Sequence, residues 1–231
     1  MNKLVLVVVC AGCSQVDSSD VLTSGIHAEM AAVSSGAGTT DVQATLYLGN
    51  PINLDFVDLT GDDELFAIHG TQRKEMSELI VLNIVSHHAS FPTDAEGEQF
   101  EIDFNRSVDN GAPSSSATLP ARFTLTGPTA AIPRTAALDL TWSPANSGDA
   151  MSWQATGDCI DLAAGTLTGD PGGFSLPATT LKKRMGGGVA DSCMVTLAVR
   201  RSRAGAVDPA YGKGGYIAGA QVRTVFVMST P

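Results

Sequence analysis

Ile26-His27-Ala28-Glu29-Met30-Ala31-Ala32 is followed, after a short glycine-containing break, by Val42-Gln43-Ala44-Thr45-Leu46-Tyr47-Leu48. In the first stretch Ile26, Ala28, Met30 and Ala32 share one parity; in the second, Val42, Ala44, Leu46 and Leu48 do. Successive side chains of a strand point to opposite faces, so each stretch reads as a strand with one apolar and one more polar side. The pattern recurs at Phe100, Ile102 and Phe104, then at Leu138, Leu140 and Trp142, and again at Cys193, Val195, Leu197 and Val199. Gln221 to Met228 reads as a terminal strand rich in Val and Phe, and the unbroken apolar run Leu79 to Val85 as a central strand. Turn chemistry separates these runs at Gly49-Asn50-Pro51, Gly61-Asp62-Asp63, Asp109-Asn110-Gly111, Asp170-Pro171-Gly172 and Gly186-Gly187-Gly188. No apolar stripe of helical period exceeds two turns, and Thr71 to Leu79 has room for one helical turn. The expected fold class is all-β.

The chain has 231 residues, of which 43% are hydrophobic and 16% charged, which excludes wholesale disorder. Four prolines and a Ser114-Ser115-Ser116 run lie between Asp109 and Arg134, with Phe123 and Leu125 forming a last strand of the first half. We place a boundary there, giving units at 25–127 and 128–231. Each has the size of an immunoglobulin-like β-sandwich of about 100 residues, so two in tandem are expected. One larger jelly-roll-like sandwich is the alternative. Leu140-Thr141-Trp142 resembles the strand of immunoglobulin domains whose Trp packs near a disulfide. Charge is divided too: residues 13–127 carry 17 acids against 4 bases, and residues 128–231 carry 7 against 9. An overall charge of -10 excludes the basic face that nucleic acid requires.

At the N-terminus, Lys3 precedes an apolar run from Leu4 to Val9, then Cys10-Ala11-Gly12-Cys13 and polar Ser14-Gln15. The run is half the roughly 20 residues a membrane-crossing helix needs, and it has the layout of a cleaved export signal. Small residues directly before a Cys resemble the lipobox of bacterial lipoproteins. That resemblance implies a signal peptide at 1–12, a diacylglyceryl group on Cys13 as the first mature residue, and palmitate among its acyl chains. Cys10 stands where the family usually has Leu. Ser14, in place of the Asp that retains such proteins in the inner membrane, implies an outer-membrane address in the bacterial cell envelope. The membrane, through the lipid, is then the first partner; residues 13–24, rich in Ser and Asp, are expected to be a tether. More broadly, the chain resembles uncharacterised envelope lipoproteins with paired immunoglobulin-like domains.

Only Cys159 and Cys193 then remain, and an even pair in an exported chain is expected to form a disulfide. The patterns of serine hydrolases, zinc proteases, P-loops and dinucleotide folds are all absent from the sequence. No catalytic residue and no enzyme activity is assigned, so the expected role is structural or binding. Two acidic turns are the candidate metal sites: Asp58, Asp62, Asp63 and Glu64, and Asp94, Glu96 and Glu98. Calcium takes six to eight oxygens, so such loops suggest a calcium-dependent or glycan-binding module as the alternative. A hydrolase built from Asp and His on loops is the second alternative; it needs His87 or His88 beside a buried carboxylate. His27 and His69 read as surface residues. Lys182-Lys183-Arg184 and Arg200-Arg201-Ser202-Arg203 read as solvated loop ends able to meet anionic polymers, and Tyr211 and Tyr216 as a sugar-stacking pair.

Overall fold

The computed structural model describes residues 14–231; the expectations for the signal segment and for Cys13 lie outside the described residues. Strands in the first part are β1 (Ser14–Asp17), β2 (Ile26–Ser34), β3 (Thr40–Leu48), β4 (Asp55–Asp58), β5 (Glu64–His69), β6 (Gln72–Glu75), β7 (Ser77–Val81), β8 (Ile84–Phe91), β9 (Gln99–Asn105) and β10 (Ala112–Thr118). Those in the second part are β11 (Thr124–Thr126), β12 (Ile132–Pro133), β13 (Leu138–Ser143), β14 (Ala150–Thr156), β15 (Ala163–Leu167), β16 (Gly173–Leu176), β17 (Cys193–Ala204) and β18 (Tyr216–Thr230). The fold is all-β, as the alternating pattern requires.

One long sheet runs through the molecule in the order β1-β4-β3-β2-β18-β17-β14-β15, with the β7–β8 hairpin also joined to β3 and β12 to β18. Two small sheets, β10-β9-β5-β6 and β11-β13-β16, form the second layer. The strand that unites everything is β18. Its start pairs in parallel with β2 (Tyr216↔Glu29 to Gln221↔Ser34), and from Ala218 to Ser229 it pairs antiparallel with β17 in an unshifted register. Because register is unbroken, side chains of one parity stay on one face. Ile217 belongs to the first apolar core and Val227 to the second, so both small sheets cover the same face of the long sheet. The opposite face carries no second layer among the described residues.

The first core gathers Ile26, Met30, Leu46, Leu65, Phe91, Phe100, Ile102 and Phe104; the second gathers Leu138, Leu140, Trp142, Val195, Leu197 and Val199. Each such side chain contributes about 1.5–3 kcal/mol on full burial. Core membership departs from the Pro-rich boundary at two places. Phe123 already belongs to the second core, and Tyr211 and Ile217 return to the first. The return depends on close backbone contact: a Cβ at Gly219 would collide with the Thr118 carbonyl of β10. Only glycine fits there.

Three local expectations are corrected. Residues 14–24 are not a tether, since β1 pairs in parallel with β4 from Ser14↔Asp55 to Asp17↔Asp58. Arg106, with its side chain fully buried, pins the segment after β1: it donates to the Ser18 carbonyl at 2.5 Å, to Thr23 Oγ1 at 2.9 Å and to Asp63 Oδ2 at 3.0 Å. Leu79 to Val85 is not a central strand but a hairpin, turning at Leu82 (φ 51°) and Asn83 (φ 66°). Two positive φ values in a two-residue loop give the tight turn whose twist matches antiparallel strands. The helical turn expected within 71–79 is replaced by β6 and β7. By contrast, Cys159 and Cys193 are joined as a disulfide, with Cα atoms 5.6 Å apart.

Candidate functional site

The strand β17 sorts the basic run residue by residue. Arg201 shares the inward parity of Val195, Leu197 and Val199, and its side chain is fully buried against Asp170 at 2.7 Å. Arg203 holds Asp149 with two nitrogens, at 2.8 and 3.0 Å. Arg200 points the other way, onto the open face of the long sheet, and no carboxylate is paired with it among the described residues. Two depressions adjoin there. One, of about 510 Å³, is lined by Ser152, Gln154, Thr166, Ala198 and Val222; the other, of about 540 Å³, by Glu29, Ala31, Gln43, Ser202 and Tyr216. Arg200 lines both.

The floor between them is low because Ala31, Ala198 and Ala218 fill the middle of the face. Tyr216 rises beside it, 52% exposed, and directs its hydroxyl to Glu29 Oε2 at 3.5 Å. Glu29 thus lies against the Tyr216 phenol and, through Oε1, 3.5 Å from His27 Nε2, rather than against Arg200. Burial and the neighbouring Glu29 carboxylate both push the Tyr216 hydroxyl above its ordinary pKa, so it remains a proton donor. Partial burial lowers the Arg200 guanidinium from its usual value, while Tyr216 acts in the opposite sense. A guanidinium so placed offers a planar fork for carboxylate or phosphate, beside an aromatic ring. Of the two tyrosines expected to stack on sugar, Tyr211 is instead in the first core, stacked on Phe104 at 6.1 Å.

The acidic turns do not assemble. Asp63 is buried and accepts from Arg106 Nε and the Ser107 amide, each at 3.0 Å. Asp94 pairs with Arg122 and accepts from the Gly38 amide at 3.3 Å, and Glu98 pairs with His69. Asp62 and Glu96 face solvent, Glu64 lies opposite Asn105 on β5, and Asp58 lies beside Glu78 and His87. Among the described residues no three His, Cys, Asp or Glu side chains converge on a point. The two buried carboxylates expected to bind calcium, Asp63 and Asp94, already hold arginines.

The histidines divide as adjacent strand residues must. His87 is buried; desolvation lowers its pKa to about 4 against the opposing pull of Asp58. His88 is half-exposed, with Nδ1 3.0 Å from Asp41 Oδ2 and Nε2 3.1 Å from Ser86 Oγ. That chain has the order of a hydrolytic relay, but Asp41 is 43% exposed and Ser86 Oγ donates to the Leu79 carbonyl at 3.2 Å. It lines neither of the two depressions on the open face. Contrary to expectation His27 is nearly buried, edge-on to Tyr47, while His69 stacks on Phe100 at 4.9 Å.

No family model matches the chain, and no curated protein does. Solved structures give weak likenesses. A cytokine receptor complex is 15% identical over 88% of this chain and 95% of that one, with a TM-score of 0.30. Trypsin-activated alpha-2-macroglobulin from Escherichia coli is 10% identical over 93% of this chain but 17% of its own, at a TM-score of 0.26. A chimeric titin Z1Z2 tandem is 14% identical over 84% of this chain and 95% of its own, at 0.24. Scores this low carry no argument about activity.

Proposed function

We propose that the chain is a lipid-anchored protein of the bacterial envelope whose body is a binding module for an acidic glycan, held on the open face of the long sheet. The anchor is supported by the lipobox resemblance of Cys10-Ala11-Gly12-Cys13. The observation that carries the binding role is Arg200: a half-buried guanidinium with no carboxylate partner among the described residues, at the meeting point of two depressions. Tyr216 supplies a ring for a sugar face, and the alanine floor admits a flat, extended ligand. A second charged residue of the same run, Arg203, already has its partner in Asp149, so the ligand's anion is read at one point.

Oligosaccharides bearing uronate or phosphate are expected to be retained by the protein in preference to their neutral counterparts. A hydrogen-bonded charge contributes about 1.5–3 kcal/mol, so Arg200→Gln should weaken retention by about tenfold or more. Equal binding of neutral sugars, or an Arg200→Gln variant that binds as before, would overturn the proposal.

A further inference from the structure

Two loops of the first sandwich, that between β3 and β4 and that between β7 and β8, carry exposed apolar side chains, and register directs both toward one end. β3 runs to Leu48 and enters the loop carrying Ile52, 83% exposed, and Leu54, 45% exposed. β8 lies antiparallel to β3 with Ala44 opposite His87. Moving back from His87 toward Ile84 therefore leads in the direction of the Leu48 end, and the hairpin presents Val81, Leu82 and Ile84, 52%, 88% and 46% exposed. The chain's first described residue is at this end as well. Ser14 lies opposite Asp55, immediately after the loop, because β1 and β4 are parallel. Soluble monomers rarely expose contiguous apolar patches larger than a few hundred Å²; larger ones mark contact with protein or membrane.

We infer that this end of the sandwich seats in the lipid surface, with Ile52, Leu54, Val81, Leu82 and Ile84 entering the interfacial layer. The inference rests on the lipid-anchor reading and adds a contact to it. What commits the occupant to lipid is where the chain outside the structure leads. Cys13 directly precedes a residue held in a strand, and one residue spans at most about 3.6 Å. No slack separates an acyl group on Cys13 from the fold, so the apolar end is pressed against the membrane that holds the lipid. The charged side chains on β1, β4 and β7 are Asp17, Asp55, Asp58 and Glu78, all acidic. Attraction to anionic headgroups is therefore not the source of the contact; burial of apolar surface is.

The test uses the full chain, purified with its native modification and reconstituted into phosphatidylcholine vesicles. Ile52→Trp and Val81→Trp, made separately, place a reporter in each loop. Each is expected to show blue-shifted emission and quenching by brominated phosphatidylcholine well above that of Trp142 and Trp153 in the parent chain. Quenching should not increase when anionic lipid is added. If the chain is vesicle-bound through acylated Cys13 while both reporters emit as in water and escape quenching, the seating is overturned and the anchor stands. Shielded but unquenched reporters, with cross-linking to a second copy, would show that protein covers the tip, which also overturns it. A chain recovered without acyl on Cys13 overturns the anchor reading and this inference together.

Discussion

Arg201→Met is expected to lower the unfolding free energy by about 3–5 kcal/mol, the range for removing one partner of a buried ion pair. Arg201 and Asp170 are both fully buried, and the guanidinium does more than pair. It donates to the Ala121 carbonyl at 2.9 Å and the Pro144 carbonyl at 2.6 Å, so it ties the segment between the two cores to the second core. Asp170 also accepts from Trp142 Nε1 at 2.6 Å and from the Ser147 amide at 3.0 Å. Burial pushes the Asp170 carboxyl up, but these donors and Arg201 outweigh it, and its net pKa lies below the usual carboxylate range. A carboxylate with a depressed folded-state pKa contributes stability that is present above its unfolded pKa and lost as pH falls through the folded one. Methionine fills the volume yet leaves that carboxylate and two carbonyls without the donor they had. Arg200→Met, one residue away on the open face, is the internal control and is expected within about 0.5 kcal/mol of the parent. Urea unfolding of both variants checks this; equal midpoints for parent and Arg201→Met would refute it.

Loss of the disulfide should be nearly as costly. Cys159 and Cys193 close a loop with a sequence separation of 34, for which chain entropy gives about 3–4 kcal/mol. Between them lies mostly irregular chain: β15, β16 and glycine-rich turns, with the Ile160↔Lys183 bridge as a cross-tie close to the disulfide. Cys159 is fully buried in the second core, so cross-link and packing act at the same place. Cys159→Ser with Cys193→Ser is expected to melt earlier. Because β18 contributes Ile217 to the first core and Val227 to the second, the two cores should not be thermally independent. A single shifted calorimetric transition is expected. A double variant with unchanged midpoint would refute the assignment of stability to the cross-link.

Everything that depends on parity was legible in the sequence. Ile26, Ala28, Met30 and Ala32 face inward as their alternation requires, and so do Phe100, Ile102, Phe104, Leu138, Leu140 and Trp142. The cysteine pair was legible from number and context. The features that escaped depend on partners distant in the chain. Arg201 reads as part of a solvated basic run, and only the arrival of Asp170 across the second core makes its burial tolerable. Asp63 and Asp94 read as metal ligands because the arginines that engage them, Arg106 and Arg122, are 43 and 28 residues away. Leu79 to Val85 reads as a buried strand because continuous apolar character does not reveal a turn; Leu82 and Asn83 lack the glycine that usually marks one. The parity rule extended along Arg200-Arg201-Ser202 separates the outward-facing Arg200 from the buried Arg201, so that signal was present in the sequence. The open face itself was not legible, since it exists only because β18 directs both small sheets to one side.

The claim on which the anchor reading and the seated end both depend is the lipid on Cys13. Mass measurement of the N-terminal peptide of the protein, extracted from the native membrane fraction, tests it directly. The expected result is a peptide beginning at Cys13 that carries a diacylglyceryl thioether and an amide-linked acyl chain. A peptide that begins elsewhere, or that begins at Cys13 with an unmodified thiol, would contradict it.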